Sequence, residues 1–394
     1  MSNESFFCPA PWMSMYYHEN TASPCHVSLQ KQKMSPQEYL DSDWLRQIKC
    51  DMKNGIVPDN CKICYDKESR GLKSTRQSES RDREGRDPLR FPNNYVDPDF
   101  FAANDETSIS RLELRSSNLC NFKCRMCNSD SSSEWQKEIE KFPSLKKLTV
   151  GDLFTEYSVT SSDNFDHLKT LSLDNCRLVC FTGGEPLLIK HYYEFMDHMI
   201  EKGYNETVGL EFFTNCSVWN PLFIDRIMMF KEVRVIMSID AYGKTAEYQR
   251  HGTDWKIVEE NILKFVKLPK RIFFNSAISA YTLLDFHNHA KFLMRLYEAN
   301  PNLGTRCYSV TAPFQLHFVN LNEELRARAL EEIDKSLEIL TPSTFDIMKK
   351  ELNAIKNHIM STKPERPDLF VSYTKALDLV RNEKFQDVFG YKLY

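Results

Sequence analysis

Three cysteines stand at C-x3-C-x2-C spacing, Cys120, Cys124 and Cys127, in the run Ser116-Ser117-Asn118-Leu119-Cys120-Asn121-Phe122-Lys123-Cys124-Arg125-Met126-Cys127-Asn128. Three thiolates are one short of a closed tetrahedral Zn site or a fully ligated four-iron cluster. A cubane held by three cysteines leaves one iron without a protein ligand, open to something else. A second set, Cys8, Cys25, Cys61 and Cys64, contains one C-x2-C pair. Four such thiols can surround one metal centre, and residue chemistry allows either Zn or an iron–sulfur cluster.

Other residues with chemical potential cluster at the ends of apolar runs. Thr182-Gly183-Gly184-Glu185-Pro186 follows Leu178-Val179-Cys180-Phe181. Two glycines at a strand end let a ligand approach the backbone, and Glu185 can accept from a cationic amine. Thr214-Asn215 ends another run, and Ser238-Ile239-Asp240 a third. A Ser and an Asp at a strand tip suit ribose hydroxyls. Arg250 stands in Tyr248-Gln249-Arg250-His251-Gly252 and can form a fork to a carboxylate. Cys50, Cys176, Cys180, Cys216 and Cys307 read as small core hydrophobes. Cys180 is the least bland of them, since it shares a strand face with Thr182 and is the candidate hydrogen donor.

The elements that must position these residues alternate. Ile109 to Arg115 reads as a strand leading into the first cysteine loop, and Ser131 to Phe142 as a helix after it. Strands follow at Leu178–Thr182, Val208–Phe213, Val233–Ile239, Arg271–Ser279 and from Arg306. Between them lie helices at His191–Lys202 and Trp255–Val266, the latter capped by Asp254. Residues 143 to 175, with Leu145, Leu148, Leu168, Leu171 and Leu173, read as an insertion of short strands or a small cap. Six strand–helix alternations give an α/β fold with a parallel sheet, a partial (βα)6 TIM-like barrel with chemistry at the strand C-termini. In the N-terminal part a helix is expected from Pro36 to Lys53, with Ser35 as N-cap and an end near Asn54-Gly55. Glu323 to Leu340 and Ser343 to Met360 read as helices of a C-terminal extension, where Asp378 and Arg381, three apart, are placed to pair with each other.

The domain boundaries follow: 1–66 for the N-terminal cysteine module, 67–108 for a charged connector, 109–320 for the barrel and 321–394 for the helical extension. Lys67 to Arg90 holds eight basic and five acidic residues, with Arg76, Arg81, Arg83, Arg86 and Arg90 among them. It reads as a solvated, partly helical linker, or more sharply as a docking surface for an acidic substrate or peptide. Pro88, Pro92 and Pro98 then break the chain before the core.

The C-x3-C-x2-C triplet and the Gly-Gly-Glu motif resemble the radical S-adenosylmethionine (SAM) superfamily. The resemblance implies that Cys120, Cys124 and Cys127 hold a [4Fe-4S] cluster whose open iron is chelated by SAM. Reductive cleavage of SAM then yields methionine and a 5′-deoxyadenosyl radical. It further implies that Met126, where the family usually has an aromatic residue, packs near the adenine. Thr182, Gly183, Gly184 and Glu185 meet the SAM amino group, Thr214 and Asn215 lie near the cofactor, and Ser238 and Asp240 meet the ribose. Arg250 meets the carboxylate, and the backbone near Ser279 borders the adenine. Cys216 replaces the Gly of the family's Thr-Asn-Gly.

Cys8, Cys25, Cys61 and Cys64 resemble the twitch half of the SPASM/twitch extension, here placed before the core instead of after it. Asn20 stands where that pattern has Gly, and Asn enters the left-handed region cheaply. The resemblance implies an auxiliary iron–sulfur cluster, [4Fe-4S] in type. A structural Zn knuckle is the alternative, with His26 as a substitute ligand or a bystander.

Composition bounds the function. The chain has 394 residues, 41% hydrophobic and 27% charged, with net charge −4. That fits a globular protein with a sizeable core and implies no general nucleic-acid affinity. The N-terminus lacks a signal-peptide pattern and no apolar run is long enough to span a bilayer, so a cytoplasmic location is expected. The expected reaction is hydrogen abstraction from an unactivated C–H bond, oxidising or cross-linking a peptide or protein. Dehydrogenation of a small carbohydrate or nucleotide is the alternative, and a non-catalytic Zn or iron–sulfur binding protein a further one. The resemblance also implies an electron donor such as flavodoxin or ferredoxin.

Overall fold

The computed structural model describes residues 8–18, 20–69, 74–77, 107–149 and 165–394. The connector positions Arg81, Arg83, Arg86, Arg90, Pro88, Pro92 and Pro98 lie outside the described residues, as does the middle of the 143–175 insertion. Nine strands occur among the described residues: β1 Ser14–His18, β2 Thr21–Ser23, β3 Gln32–Lys33, β4 Arg111–Arg115, β5 Leu178–Phe181, β6 Gly209–Thr214, β7 Val233–Ser238, β8 Arg271–Ile278 and β9 Gly304–Ser309. β4 to β9 are the six strands expected of the core, alternating with helices as an α/β fold requires.

The chain divides into two compact units. One comprises residues 1–117, 159–212 and 221–233, and the other 118–158, 213–220 and 234–394. In the first unit β1 pairs antiparallel with β2, and β2 with β3. β1 also pairs in parallel with β4, Tyr16 opposite Glu113. β4, β5 and β6 continue in parallel. The strands of the N-terminal segment therefore extend the same sheet that carries β4. The sheet's helix-covered face is set by aromatics. Phe181 stacks on Tyr192 of the helix Lys190–Glu201, ring centroids 4.2 Å apart, and Phe212 meets Phe223 of the helix Pro221–Met228 edge-on. In the second unit β7, β8 and β9 pair in parallel. There His289 of the helix Phe286–Ala299 meets Ser276 on the helix-covered face, Nε2 to Oγ 3.0 Å.

Several expected elements differ in detail. The helix expected over Pro36–Lys53 is two helices, Pro36–Leu40 and Asp43–Lys53. Ser35 makes the expected N-cap in a full capping box with Glu38. Ser42 then caps a second start, because its extended backbone breaks the ladder and its Oγ accepts from Leu45 N at 3.2 Å. The described parts of the 143–175 insertion are helical turns, Pro143–Leu145, Lys146–Thr149 and Phe165–Thr170, and hold no strand. Pro143 at the first position sets a helical φ there. Asp254 caps the helix Trp255–Phe265 as expected, accepting from Ile257 N at 3.3 Å. The C-terminal extension is helical at Glu323–Ile339, Asp346–Ser361, Pro367–Arg381 and Phe385–Phe389.

Candidate cluster-binding and cofactor site

The three cysteines lie on the loop between β4 and the helix Ser133–Lys141, and the loop is fastened to that helix's first turn. Ser132 is the N-cap, its Oγ accepting from Trp135 N at 3.2 Å while donating to Phe122 O. Ser133 Oγ accepts from Cys120 N at 3.2 Å, and Trp135 Nε1 donates to Cys124 O at 2.7 Å. Asn118 Nδ2 donates to Ser129 O at 2.9 Å. From the other side Lys123 N and Arg125 N donate to His251 O and Gln249 O, at 2.9 and 2.7 Å. The triad therefore rests on a loop whose backbone groups are tied on two flanks.

The sulfurs face nitrogen donors. Arg250 Nη1 stands 3.8 Å from Cys124 Sγ, and Asn215 Nδ2 3.9 Å from Cys120 Sγ. Arg250 Nε lies 2.8 Å from Asp240 Oδ2, while Asp240 Oδ1 accepts from Ala277 N at 2.8 Å. Burial pushes the Cys124 thiol up to about 12, the Arg250 charge pulls it back, and Cys127 and Asp240 push it further. A thiol so placed is neutral in the absence of a cation, and a metal cluster reverses that balance by binding the thiolate. Three sulfurs with N–H donors aimed at two of them fit the expected open cluster.

The second unit brings together most of the expected cofactor residues. Gln249, which sequence reasoning quoted but gave no role, connects Met126 to Ser279. Its Nε2 is 3.4 Å from Met126 Sδ and its Oε1 accepts from Ser279 Oγ at 3.1 Å. Asn215 also reaches Asn121 Oδ1 at 3.1 Å. Cys216 adopts φ 61°, the left-handed conformation a glycine would supply, and Thr214 Oγ1 accepts from Cys216 N at 3.0 Å. Ser238 is half-buried at the end of β7. Gly252 has φ +105°, and a Cβ there would stand 2.9 Å from Asn121 O.

Thr182, Gly183, Gly184 and Glu185 lie in the first unit at the end of β5. Thr182 N and Gly184 N donate to Leu114 O and Ser117 O, at 2.9 and 3.0 Å. Gly183 has φ +110°, and a Cβ would be 2.5 Å from Ser117 O, so only glycine fits. Glu185 is buried and caps the turn Pro186–Leu188, accepting from Leu187 N at 3.4 Å. The Tyr192 hydroxyl lies 2.6 Å from Thr182 O and accepts from Ser116 N at 3.1 Å, locking the ends of β4 and β5 together.

Cys180 is fully buried on the face of β5 opposite Phe181, its Sγ 3.7 Å from Glu211 Oε1. The register puts Glu113, Cys180 and Glu211 side by side on three adjacent strands. Both glutamates escaped the sequence reading. The signal was there: each is one charged residue flanked by apolar ones, Leu112-Glu113-Leu114 and Leu210-Glu211-Phe212.

In the N-terminal segment Cys8, Cys25, Cys61 and Cys64 line one cavity, shared with Asn60, Tyr65 and Arg76. Burial, and then the neighbouring Cys25, Cys61 and Cys64 sulfurs, push the Cys8 thiol well above the usual range; burial and Cys64 push Cys61 up to about 12. Four thiols lining one cavity supply a donor set for a cationic centre. Asn20 has φ 58°, the left-handed conformation expected of it. His26 Nδ1 lies 3.3 Å from Glu113 Oε2. Arg76 departs from the solvated-linker expectation, being buried, paired with Glu68, and 4.8 Å from the Tyr65 ring centroid. Among the described residues no three His, Cys, Asp or Glu side chains form a group suited to a single metal ion. No helix among them is long and apolar enough to cross a membrane.

Asp378 and Arg381 do not pair with each other. Asp378 Oδ1 accepts from Arg125 Nη2 at 2.6 Å, and Arg381 Nη2 donates to Glu138 Oε2 at 2.7 Å. Each finds a partner across the unit because the buried face of its helix turns both side chains inward.

Residues 114–294 match the Radical SAM superfamily. No curated protein sequence matches the chain. Among solved structures, it is similar to native anSMEcpe with bound AdoMet, with 15% identity, TM-score 0.39, and 62% of each chain covered. It is also similar to Streptococcus suis SuiB bound to S-adenosylmethionine, with 13% identity, TM-score 0.35, and 57% of this chain and 45% of that one covered. A third is TYW1 with a lysine-pyruvate adduct bound, with 17% identity, TM-score 0.31, and 60% and 74% covered. The chain thus spans 62% of the length of native anSMEcpe and less of SuiB.

Proposed function

We propose that this protein, whose residues 114–294 match the Radical SAM superfamily, is a radical SAM enzyme that oxidises or cross-links a peptide or protein. The observation that carries the reading is the arrangement of Arg250, which touches both Cys124 and Asp240. A cysteine that would ligate the cluster, and two residues expected to meet SAM, share one point in the structure.

In this reading Cys120, Cys124 and Cys127 hold a [4Fe-4S] cluster, and Ser238, Asp240 and Arg250 of the same unit are polar groups that take SAM. When bound, the cluster and SAM would supply the radical chemistry for hydrogen abstraction, with the electron coming from an external donor. The chain's own residues orient the cofactor. Gln249 fixes Met126 against Ser279, two residues expected near the adenine, and Gly183 lets the backbone close on Ser117. Burial of Cys124 and Asp240 keeps water from the reacting groups.

The four N-terminal cysteines, gathered on one cavity, hold an auxiliary cluster in a twitch-like module. That module's resemblance to the twitch pattern supports a peptide substrate. A flavodoxin or ferredoxin in the cytoplasm supplies the electron.

The test is iron and sulfide content of protein purified without oxygen, beside a Cys120→Ala/Cys124→Ala/Cys127→Ala variant. Two four-iron clusters give roughly eight irons per chain, falling to about four in the variant. Reduced wild-type protein then forms 5′-deoxyadenosine from SAM, and the variant does not. Zn at the N-terminal cysteines would replace the auxiliary cluster by a structural knuckle. Absence of iron after reconstitution would defeat the enzyme reading and leave a binding protein.

A further inference from the structure

Arg125 lies inside the cysteine motif, between Cys124 and Cys127, and its side chain is fully buried. Its Nη2 donates to Asp378 Oδ1 and to Glu383 Oε2, each at 2.6 Å. Its Nε donates to Tyr248 O at 3.0 Å, and the guanidinium lies 3.6 Å from the Tyr248 ring centroid. The main chain of the same residue is held as firmly, its O accepting from Tyr373 OH at 2.6 Å. Asp378, Glu383 and Tyr373 all belong to the C-terminal helix Pro367–Arg381 or the residues just after it.

Asp378 is a hub. Besides Arg125 it accepts from Tyr248 OH at 2.6 Å, and from Phe385 N and Tyr394 OH at 2.8 Å. One turn on, Arg381 grips Glu138, which also takes Lys123 Nζ at 2.5 Å. The residues on either side of Cys124 are thus tied by ion pairs to groups that the C-terminal helix holds. Apolar packing would stabilise such a contact as well, since a buried ion pair costs most of its attraction in desolvation. A planar fork stacked on an aromatic ring instead fixes direction, which an ammonium would not.

We propose that Asp378 and Glu383 are positioning residues for the cluster. Through Arg125 they hold the Cys124–Cys127 arm in ligating position, so cluster retention depends on a helix about 250 residues away in sequence, Asp378 lying 253 positions from Arg125. The inference rests on the radical SAM reading above.

The experiment uses reconstituted holoprotein and four variants: Asp378→Asn, Glu383→Gln, Arg125→Lys and Arg326→Met. Arg326 is the control. It is a buried arginine of the same unit that holds Thr362 O and Lys363 O, at 2.6 and 2.9 Å, away from the cysteine loop. Iron release to a ferrous chelator, the midpoint potential of the core cluster and the thermal midpoint are measured together. Residues that orient metal ligands typically change metal retention by about 10- to 100-fold.

Asp378→Asn and Glu383→Gln are therefore expected to release the core cluster's share of the iron about tenfold faster or more, with a shifted potential, the auxiliary share serving as internal reference. Arg125→Lys is expected to fall between these and wild type. Arg326→Met is expected to lower the thermal midpoint and leave iron release unchanged. Glu383 is partly exposed beyond the helix end, so Glu383→Gln gives the answer if Asp378→Asn does not fold. Iron release that follows thermal midpoint across all variants, Arg326→Met included, overturns the proposal, and so does release unchanged in every variant. A wild-type triad without iron would instead remove the enzyme reading, and this inference with it.

Discussion

Arg250 and Asp240 form an ion pair with 2.8 Å between Nε and Oδ2, and the same guanidinium reaches Cys124 Sγ at 3.8 Å. Removing one partner leaves the other buried and uncompensated, which costs about 3–5 kcal/mol. Arg250→Met alone should therefore lower stability by roughly that amount. The double variant Arg250→Met/Asp240→Asn should recover part of the loss, as read by urea denaturation. SAM binding should be lost in both, which separates the cofactor role from the folding role.

Two glycines are pinned at positive φ against backbone carbonyls. Gly183 presses on Ser117 O in one unit, and Gly252 on Asn121 O in the other, both at positive φ. Adding a methyl group at either place requires backbone movement, with a strain of about 1–3 kcal/mol. Gly183→Ala and Gly252→Ala should each lower the thermal midpoint and weaken SAM binding in calorimetric titration. Gly203→Ala is the comparison: its φ is +76°, but a Cβ there meets nothing within 4 Å. It should retain SAM affinity.

His289 gives the protein an acid-sensitive core. Burial first, and the Arg250 charge second, depress its pKa to about 3, against about 6.5 for an unfolded histidine. As pH falls, the unfolded chain takes the proton first. The stability contributed by the neutral ring is complete above about pH 6.5 and drains as pH falls toward 3. His289→Gln, which can still meet Ser276, should flatten that acid limb in urea midpoints measured across the interval.

The four N-terminal cysteines should act as a set. Cys61→Ala/Cys64→Ala should remove about four irons per chain while leaving SAM cleavage to 5′-deoxyadenosine in place. Cleavage lost together with that iron would show that the auxiliary centre feeds electrons to the core.

Cys180 sits beside Glu211 in the buried face of the sheet. If it donates hydrogen to the substrate, Cys180→Ala should keep SAM cleavage and lose product. Product formed at the wild-type rate would assign it to packing.

The motif residues were legible because their chemistry is local. C-x3-C-x2-C, Gly-Gly-Glu and the strand-end Ser238 and Asp240 depend on spacing within one loop or one strand tip, and spacing is what a sequence displays. Asn20 and Asp254 were equally readable, since a left-handed turn and an N-cap are decided by one side chain. The break at Asp41-Ser42 was missed because the flanking helix pattern outweighs one extra capping serine.

What only tertiary structure decided are the partners that close over long separations. Asp378 and Arg381 stand at helical spacing and so look like each other's partners. Packing of the helix instead turns them to Arg125 and Glu138, 253 and 243 residues away. Glu113, Cys180 and Glu211 are brought into one row by strand register, which sequence patterning alone does not specify. The sequence by itself determined which residues stand at ligand spacing and at strand ends, where a cluster and cofactor are expected. The tertiary structure decided which charges hold the loop that presents them, because a buried charge takes its partner from whatever the fold packs against it.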